Sequence, residues 1–331
     1  MKLRMLAALF ATLFATLFPH AAPAQSPSAV GAFPNKTMRI VIPFPPGGGS
    51  EVAARSLAEQ MSKTFGQSVV VENRPGGNSV IASEIVAKAP ADGHTLLLTT
   101  DFHAINAAFG ISLPYDSLAD FAFVAQLTTS PLMLVAHPST GAKNLAELIE
   151  RAKANPGKYS FASLGSSSPH YLGFEWFKRL AGISMIDVPY KGGGQALADI
   201  LGGQVNLMYI VAGNGIRQAR AGKLVALAIS SDKRHPVAPD IPSIAESGYP
   251  GYSLVNWYAM LAPAGTPKDV VAKLNAEIVR ALRLPAVIER LYGAGLDAAP
   301  STPEELEAHV RREIDKYRRI IQMTGARAEG R

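Results

Sequence analysis

The chain has 331 residues, of which 48% are hydrophobic, and it carries 32 basic against 26 acidic residues. A chain of this length can bury a large core, and the absence of a basic, aromatic-interleaved stripe argues against nucleic acid as a partner. It contains no cysteine, which excludes disulfides, zinc-thiolate sites, iron–sulfur clusters and cysteine nucleophiles.

Residues 1–24 predict a secretory signal peptide. Lys2 and Arg4 form a basic start, residues 5–18 are apolar and uncharged, and the small residues 22–24 suit a cleavage site. The apolar stretch is too short for a membrane span. Since the chain has no cysteine to carry a lipid anchor, we expect a free, periplasmic protein.

Strand and helix signals alternate along the rest of the chain. Short β-branched and apolar runs predict strands, and periodic apolar residues bounded by Gly, Ser or Pro predict helices. The predicted strands are 38–43, 68–72, 95–99, 123–127, 132–137, 159–162, 185–189, 205–211, 224–229 and 255–261. The predicted helices are 53–65, 81–88, 145–154, 171–180, 195–201, 216–221, 267–282, 285–292 and 303–323. This alternation predicts an α/β fold with parallel sheets.

The alternation occurs twice, which predicts two lobes. Two long extended stretches, 124–138 and 252–265, could carry the chain between them. We therefore expect a discontinuous lobe 1 of residues 36–127 plus 254–331, containing both ends of the mature chain, and a lobe 2 of residues 128–253.

The turn after the first predicted strand, PFPPGGGS at residues 43–50, begins a helix. It lacks the lysine of a phosphate-binding loop. It also fails as a dinucleotide fingerprint, because Val52 replaces the third small residue and two prolines interrupt the turn. A helix start has unpaired N–H groups and a partial positive charge, and glycines leave those groups accessible to an anion.

The same design recurs after three further predicted strands, at residues 101–106, 164–170 and 191–194. The carboxyl ends of parallel strands meet at one edge of a sheet, where open α/β folds bind ligands. Each turn alone is typical of ordinary helix capping. The coincidence of four predicts a receptor that holds a carboxylate without fixed cationic side chains.

Enzymatic alternatives find less support. Ser166, Ser167 and Ser168 lie near His170, which leaves a hydrolase open as an alternative, but the chain has no G-x-S-x-G nucleophile turn. The seven histidines show no metal-binding spacing. We expect no catalytic residue, no metal and no cofactor.

Seven segments together resemble one known family: PFPPGGGSEVAAR, VVVENRPGG, APADGHTLLLTT, HAIN, LPYDSLADF, VPYKGGGQALADILGGQV and LAPAGTP. From about Lys36 to the C-terminus the chain resembles the Bug-type substrate-binding receptors of tripartite tricarboxylate transporters. The resemblance implies a type II periplasmic-binding-protein fold, with two α/β lobes joined by a two-strand hinge around a cleft. It also implies a small carboxylate ligand and a two-subunit membrane permease as partner. We expect a monomer; a sensor that reports the same ligand to a membrane kinase remains an alternative.

The resemblance also implies a set of ligand-binding residues. They are Phe44, Pro45, Gly47, Gly48, Ser50, Asn78, Thr100, Asp101, His103, Asn106, Ser163, Gly165, Ser166, Ser167, His170, Tyr190, Lys191, Gly192, Val211 and Ala212. Glu51 stands where many members of that family have Asp. Many members also have an Asp soon after the strand VNLMY, where this chain has residues 210–212 without a charge. We therefore expect acids without an amino group as ligands, and we expect Asp101 to cap its helix.

Overall fold

The computed structural model describes residues 33–236 and 238–328. The predicted signal peptide lies outside these residues. Within the described ranges, no helix combines the length and the apolar character needed to cross a membrane.

The described residues form ten strands and ten α-helices. In chain order these are β1 (Met38–Ile42), α1 (Gly49–Phe65), β2 (Val69–Asn73), α2 (Val80–Ala87), β3 (Thr95–Thr100), α3 (Phe102–Phe109), β4 (Phe121–Ala136), α4 (Leu145–Ala154), β5 (Ser160–Ser163), α5 (Pro169–Ala181), β6 (Ile186–Pro189), α6 (Gly193–Leu201), β7 (Leu207–Val211), α7 (Ala212–Arg220), β8 (Val225–Ile229), β9 (Val255–Pro263), α8 (Lys268–Leu282), α9 (Pro285–Gly293), β10 (Asp297–Ala298) and α10 (Pro303–Thr324). The predicted α/β alternation is confirmed.

The sheet is mixed, with the strand order β2-β1-β3-β9-β4-β7-β5-β6, and β8 and β10 also pair with β4. The strands β1, β2 and β3 pair in parallel, as do β5, β6 and β7. The prediction of parallel sheets is wrong at the centre, because β9 pairs antiparallel with β3 and β4, and β4 pairs antiparallel with β7. These central strands carry the chain between the two parallel sets, so their directions are set by the crossing.

The strand β4 replaces two predicted strands, 123–127 and 132–137. Its first part, up to Pro131, pairs with β9, and its second part, from Leu132, pairs with β7 and β8. The segment that leads into β9 lies beside the point where β4 changes its partner. The Leu254 N–H donates to the Ser230 carbonyl oxygen, and the Ser230 N–H donates to the Leu132 carbonyl oxygen, both at 2.8 Å. The two crossings therefore lie side by side, and the assignment of residues to two lobes stays a prediction.

The last helix, α10, packs against helices that follow strands of both parallel sets. Its buried apolar residues recur every three or four positions, from Leu306 to Ile320, and form a stripe along one face. A capping box of Thr302 and Glu305 fixes its start. The helix packs against α3 and α5, and so reaches the start of α3, where a site residue is found.

Candidate ligand-binding cleft

A cavity of about 860 Å³, here called the cleft, lies at the carboxyl ends of the parallel strands. Its lining comes from the turns after β1, β2, β3, β5 and β6, from the end of β7, and from β9. In residue numbers these segments include 43–46, 48–50, 75–79, 100–102, 169–170, 191–194, 208–211, Asn256 and Tyr258. The cleft is therefore formed where the topology brings together helix starts from both parallel sets.

Five of the helices that begin at the cleft have no capping hydrogen bond to the side chain of the residue before them. These residues are Gly48, Ser79, Asp101, Gly192 and Val211, before α1, α2, α3, α6 and α7. The helix α5 differs, because the Ser168 hydroxyl accepts from the Tyr171 N–H at 3.1 Å. Since uncapped helix starts carry a partial positive charge, their convergence favours an anion in the cleft.

The glycine turn before α1 is open for two different reasons. Gly47 has φ of +99°, a left-handed conformation that favours glycine. Gly48 has an ordinary extended conformation, with φ of −94°, and an added Cβ would meet only the Ser50 hydroxyl, 3.9 Å away. At Gly48 the missing side chain therefore provides access to the backbone rather than conformational freedom.

One carboxylate of the protein already binds to this turn. The Gly47 N–H donates to Glu51 Oε2 at 2.5 Å, and Arg55 Nε donates to Glu51 Oε1 at 2.7 Å. The Gly47 N–H, and then Arg55, lower the pKa of Glu51. Glu51 is therefore ionised at neutral pH, and its carboxylate accepts the Gly47 N–H.

Four buried polar atoms of the cleft lining have no hydrogen-bond partner among the described residues: Ser79 Oγ, Asp101 Oδ2, His170 Nδ1 and Asn256 Oδ1. Buried polar atoms in native proteins are nearly always hydrogen-bonded to protein or to water. A ligand, or water held with it, would complete these four groups.

Asp101 does not cap α3, and the expectation that it would is wrong. The Phe102 N–H is instead bonded to Thr100 Oγ1 at 3.3 Å, and Asp101 is only 3% exposed. Burial, and then the charge of Glu313, raise the pKa of Asp101 to about 7, although Lys316 opposes the shift. The helix α10 packs against α3 and places the charges of Glu313 and Lys316 near this carboxyl group.

The remaining lining is largely neutral and aromatic. Burial lowers the pKa of His170 to about 4, so this imidazole is uncharged at neutral pH. The rings of Phe44 and Phe102 lie 6.1 Å apart and line the cleft together. Among the described lining residues, Lys191 is the one Lys or Arg, and it is exposed. The cleft thus combines helix starts, an apolar surface and few charges.

Eleven residues of the predicted set line the cleft: Phe44, Pro45, Gly48, Ser50, Asn78, Thr100, Asp101, His170, Lys191, Gly192 and Val211. The other nine, Gly47, His103, Asn106, Ser163, Gly165, Ser166, Ser167, Tyr190 and Ala212, do not belong to its lining. Whether any of the twenty contacts a ligand stays a prediction.

His103 and Asn106 support the site from behind. His103 is fully buried, its Nε2 lies 2.8 Å from the Ser117 carbonyl oxygen, and burial lowers the pKa of the ring to about 4. The Asn106 amide donates to the Asn78 carbonyl at 2.8 Å. The HAIN motif therefore holds α3 and the turn at Asn78 in place, while His103 and Asn106 themselves do not line the cleft.

Other predicted residues that do not line the cleft also make contacts that stabilise the fold. The Gly165 carbonyl accepts from the Ser168 hydroxyl at 2.7 Å, and Ser163 is buried at the end of β5. The Tyr190 hydroxyl donates to Asp199 at 2.9 Å. Ala212 lines a separate cavity of about 210 Å³, together with Gly213 and Ile216 of α7.

Sequence reasoning missed two residues of β9. Asn256 and Tyr258 both line the cleft, whereas the stretch was interpreted only as a crossing between lobes. Residues two apart on a strand share a face, so a polar residue and a tyrosine at this spacing in an apolar run were the available signal.

The turn 75–79 is a second omission, apart from Asn78. Its residues from Gly76 to Ser79 all have positive φ, including the non-glycine residues Asn78 (50°) and Ser79 (77°). Such conformations are costly and cluster at ligand sites. Two glycines and an asparagine readily adopt positive φ, so the sequence indicates a turn here, whereas the positive φ of Ser79 has no such signal.

The comparisons with known proteins identify the family. The family model described as tripartite tricarboxylate transporter family receptor matches residues 53–326. A UPF0065 protein of Pseudomonas sp. (strain P51), located in the tcbD-tcbE intergenic region, is 37% identical over 88% of this chain and 87% of its own. The protein BugT of Bordetella pertussis is 35% identical over 91% of this chain and 93% of its own.

Solved structures agree with this assignment and with the predicted fold class. The periplasmic binding protein BugD has a TM-score of 0.78 at 33% identity, covering 89% of this chain and 99% of its own. An R. palustris protein solved with adipate has a TM-score of 0.80 at 31% identity and the same coverage. MatC from Rhodopseudomonas palustris, solved with bound malate, has a TM-score of 0.75 at 34% identity, covering 87% of this chain and all of its own.

These similarities extend over most of the chain, and they are to solute-binding receptors, not to enzymes. The hydrolase alternative is thereby set aside. The chain belongs to the tripartite tricarboxylate transporter receptor family.

Proposed function

We propose that the protein is a periplasmic receptor that captures a small carboxylic acid without an amino group, and delivers it to a two-subunit permease of the tripartite tricarboxylate type. The observation that carries this proposal is the convergence of uncapped helix starts on one cleft. Family membership supports the permease partner, and the relatives solved with adipate and with malate support the ligand class.

In this proposal one ligand carboxylate lies against the starts of α1 and α3. Backbone N–H groups after Gly48 and Thr100 hold it, with water bridging where the distance is longer. Helix starts favour negative charge without the flexible side chain of a lysine or arginine, so little conformational entropy is lost on binding. The apolar lining around Phe44 and Phe102 receives the carbon chain of the ligand.

The same proposal includes closure of the two predicted lobes around the ligand. The ligand is enclosed when the predicted lobes rotate about the crossings near 126–138 and 252–258, as expected for hinge closure. Cleavage of residues 1–24 leaves the receptor free and monomeric in the periplasm, where it can reach the permease.

Native mass spectrometry of the protein, purified from the periplasm without refolding, tests the ligand class. We expect a small organic acid to accompany the protein. Calorimetry with adipate, malate, succinate and benzoate then measures affinity. Binding of a neutral sugar or of a cation, with none of the four acids bound, would overturn the proposal. Delivery is tested by uptake of the bound acid in cells that have the permease, with and without this receptor.

A further inference from the structure

Asp101 is a buried carboxyl group within the lining of an anion-binding cleft. It directly precedes α3, it makes no capping bond, and its Oδ2 atom has no hydrogen-bond partner among the described residues. The proposed ligand carboxylate lies against the N–H groups of the same helix start. A second negative charge in such a place would oppose the ligand, unless it is neutralised.

The charged groups around Asp101 do not neutralise it. From α10, Glu313 and Lys316 act on it with opposite signs, but they form an ion pair with each other at 2.8 Å. Tyr258 of β9 and Tyr317 of α10 face it as neutral phenols, because burial raises the pKa of both. Across the cleft, His170 of α5 is uncharged at neutral pH, because burial lowers its pKa to about 4. Lys191 is exposed, and Glu51 of α1 is paired with Arg55.

Two carboxylates that share a poorly solvated site cannot both remain ionised, and one of them takes a proton. Burial already raises the pKa of Asp101 to about 7, so its protonation is nearly free at neutral pH. A dicarboxylate ligand ionises near pH 5 or below and is less readily protonated. The proton therefore belongs on Asp101.

We propose that Asp101 binds the ligand in its protonated form, donating a hydrogen bond from its carboxyl group to the ligand carboxylate, so that capture of the acid takes up one proton. This inference rests on the proposed carboxylate-binding function and makes Asp101 a residue that determines specificity.

Calorimetry with adipate, or with malate if adipate does not bind, tests this inference in pairs of buffers with different ionisation enthalpies. With a resting pKa of about 7, proton uptake should rise from roughly a quarter of a proton at pH 6.5 to about one at pH 8.5. The affinity should fall by up to about 25-fold over the same range. No uptake, or an affinity that rises with pH, would overturn the inference.

Two variants sharpen the test. Asp101→Asn keeps a hydrogen-bond donor but cannot titrate, so its affinity should change less than about twofold with pH and exceed that of the wild type at pH 8.5. Asp315→Asn removes an exposed carboxylate that is paired with Arg318 on α10, and should keep the wild-type pH dependence. If Asp101→Asn abolishes binding while its thermal unfolding is unchanged, Asp101 acts as an anion and the inference is wrong. If none of adipate, malate, succinate and benzoate binds the wild type, the proposed function itself fails, whereas binding without proton uptake overturns this inference alone.

Discussion

Replacing Gly48 with valine tests the placement of the ligand carboxylate. The position accepts a side chain without backbone strain, because φ is −94° and an added Cβ would meet only the Ser50 hydroxyl at 3.9 Å. The two valine methyl groups would instead enter the cleft in front of the first N–H groups of α1. A hydrogen bond from an N–H group to a charged acceptor contributes about 1.5–3 kcal/mol. Losing one such bond weakens binding at least about tenfold, or about 1.4 kcal/mol.

The assay is calorimetric titration of Gly48→Val and wild type with the same acid, together with thermal unfolding of both proteins. Gly293→Val is the matched control, since an added Cβ there has no described atom within 4 Å and the residue does not line the cleft. We expect the control to bind like the wild type. Unchanged affinity of a folded Gly48→Val protein would show that the carboxylate lies elsewhere.

Three further predictions follow from the same geometry. Small-angle scattering should give a smaller radius of gyration with a bound acid than without, because the lobes close about the crossings near 126–138 and 252–258; identical curves would indicate a rigid site. In a thermal-shift screen, an acid at 100 times its dissociation constant should stabilise the protein by about 2.7 kcal/mol; a larger shift with aspartate or glutamate than with any unsubstituted acid would contradict the exclusion of amines at residues 210–212. Finally, the pKa of His103 is about 4 in the folded protein, against 6.5 for an ordinary histidine. The neutral ring therefore stabilises the folded state above pH 6.5, and this stabilisation is lost as the pH falls towards 4. Between pH 7 and 5, wild type should lose about 2 kcal/mol more stability than His103→Gln in urea unfolding, and equal losses would refute this.

Local sequence signals were sufficient to predict elements whose ends are set by the residues next to them. The helix α4 was predicted at its observed bounds, 145–154, from the stop signal Asn155-Pro156-Gly157, and in the structure Asn144 caps its start. The helix α7 was predicted four residues too late, since its first turn contains Gly213 and Gly215, which are poor helix formers. Packing decides there: an added Cβ on Gly215 would lie 2.8 Å from Met133 Sδ. Such a contact between distant segments has no local sequence signal.

The central strands show the same limit for topology. The polar stretch Thr128-Thr129-Ser130 followed by Pro131 interrupts the apolar pattern of β4, and so two strands were predicted. In the structure these residues pair with the first four residues of β9, Val255–Tyr258, and β4 is one continuous strand. The direction of β9 also follows from this pairing, which joins residues more than a hundred positions apart. A strand pattern in the sequence predicts extended structure, but it does not state which neighbour the strand has.

Asp101 shows how the same limit applies to function. An aspartate at the start of a helix is normally a cap, and the sequence around it offered no reason to think otherwise. What changes its role is α10, which begins some two hundred residues later and packs against α3, with Glu313 and Lys316 near the carboxyl group. In the folded protein Asp101 is a buried acid with a pKa of about 7, the value at which a carboxyl group can exchange a proton with solvent under neutral conditions. The turns proposed to bind the anion could be recognised from their glycines and serines, but the group proposed to select its charge state could be recognised only from its burial in the fold.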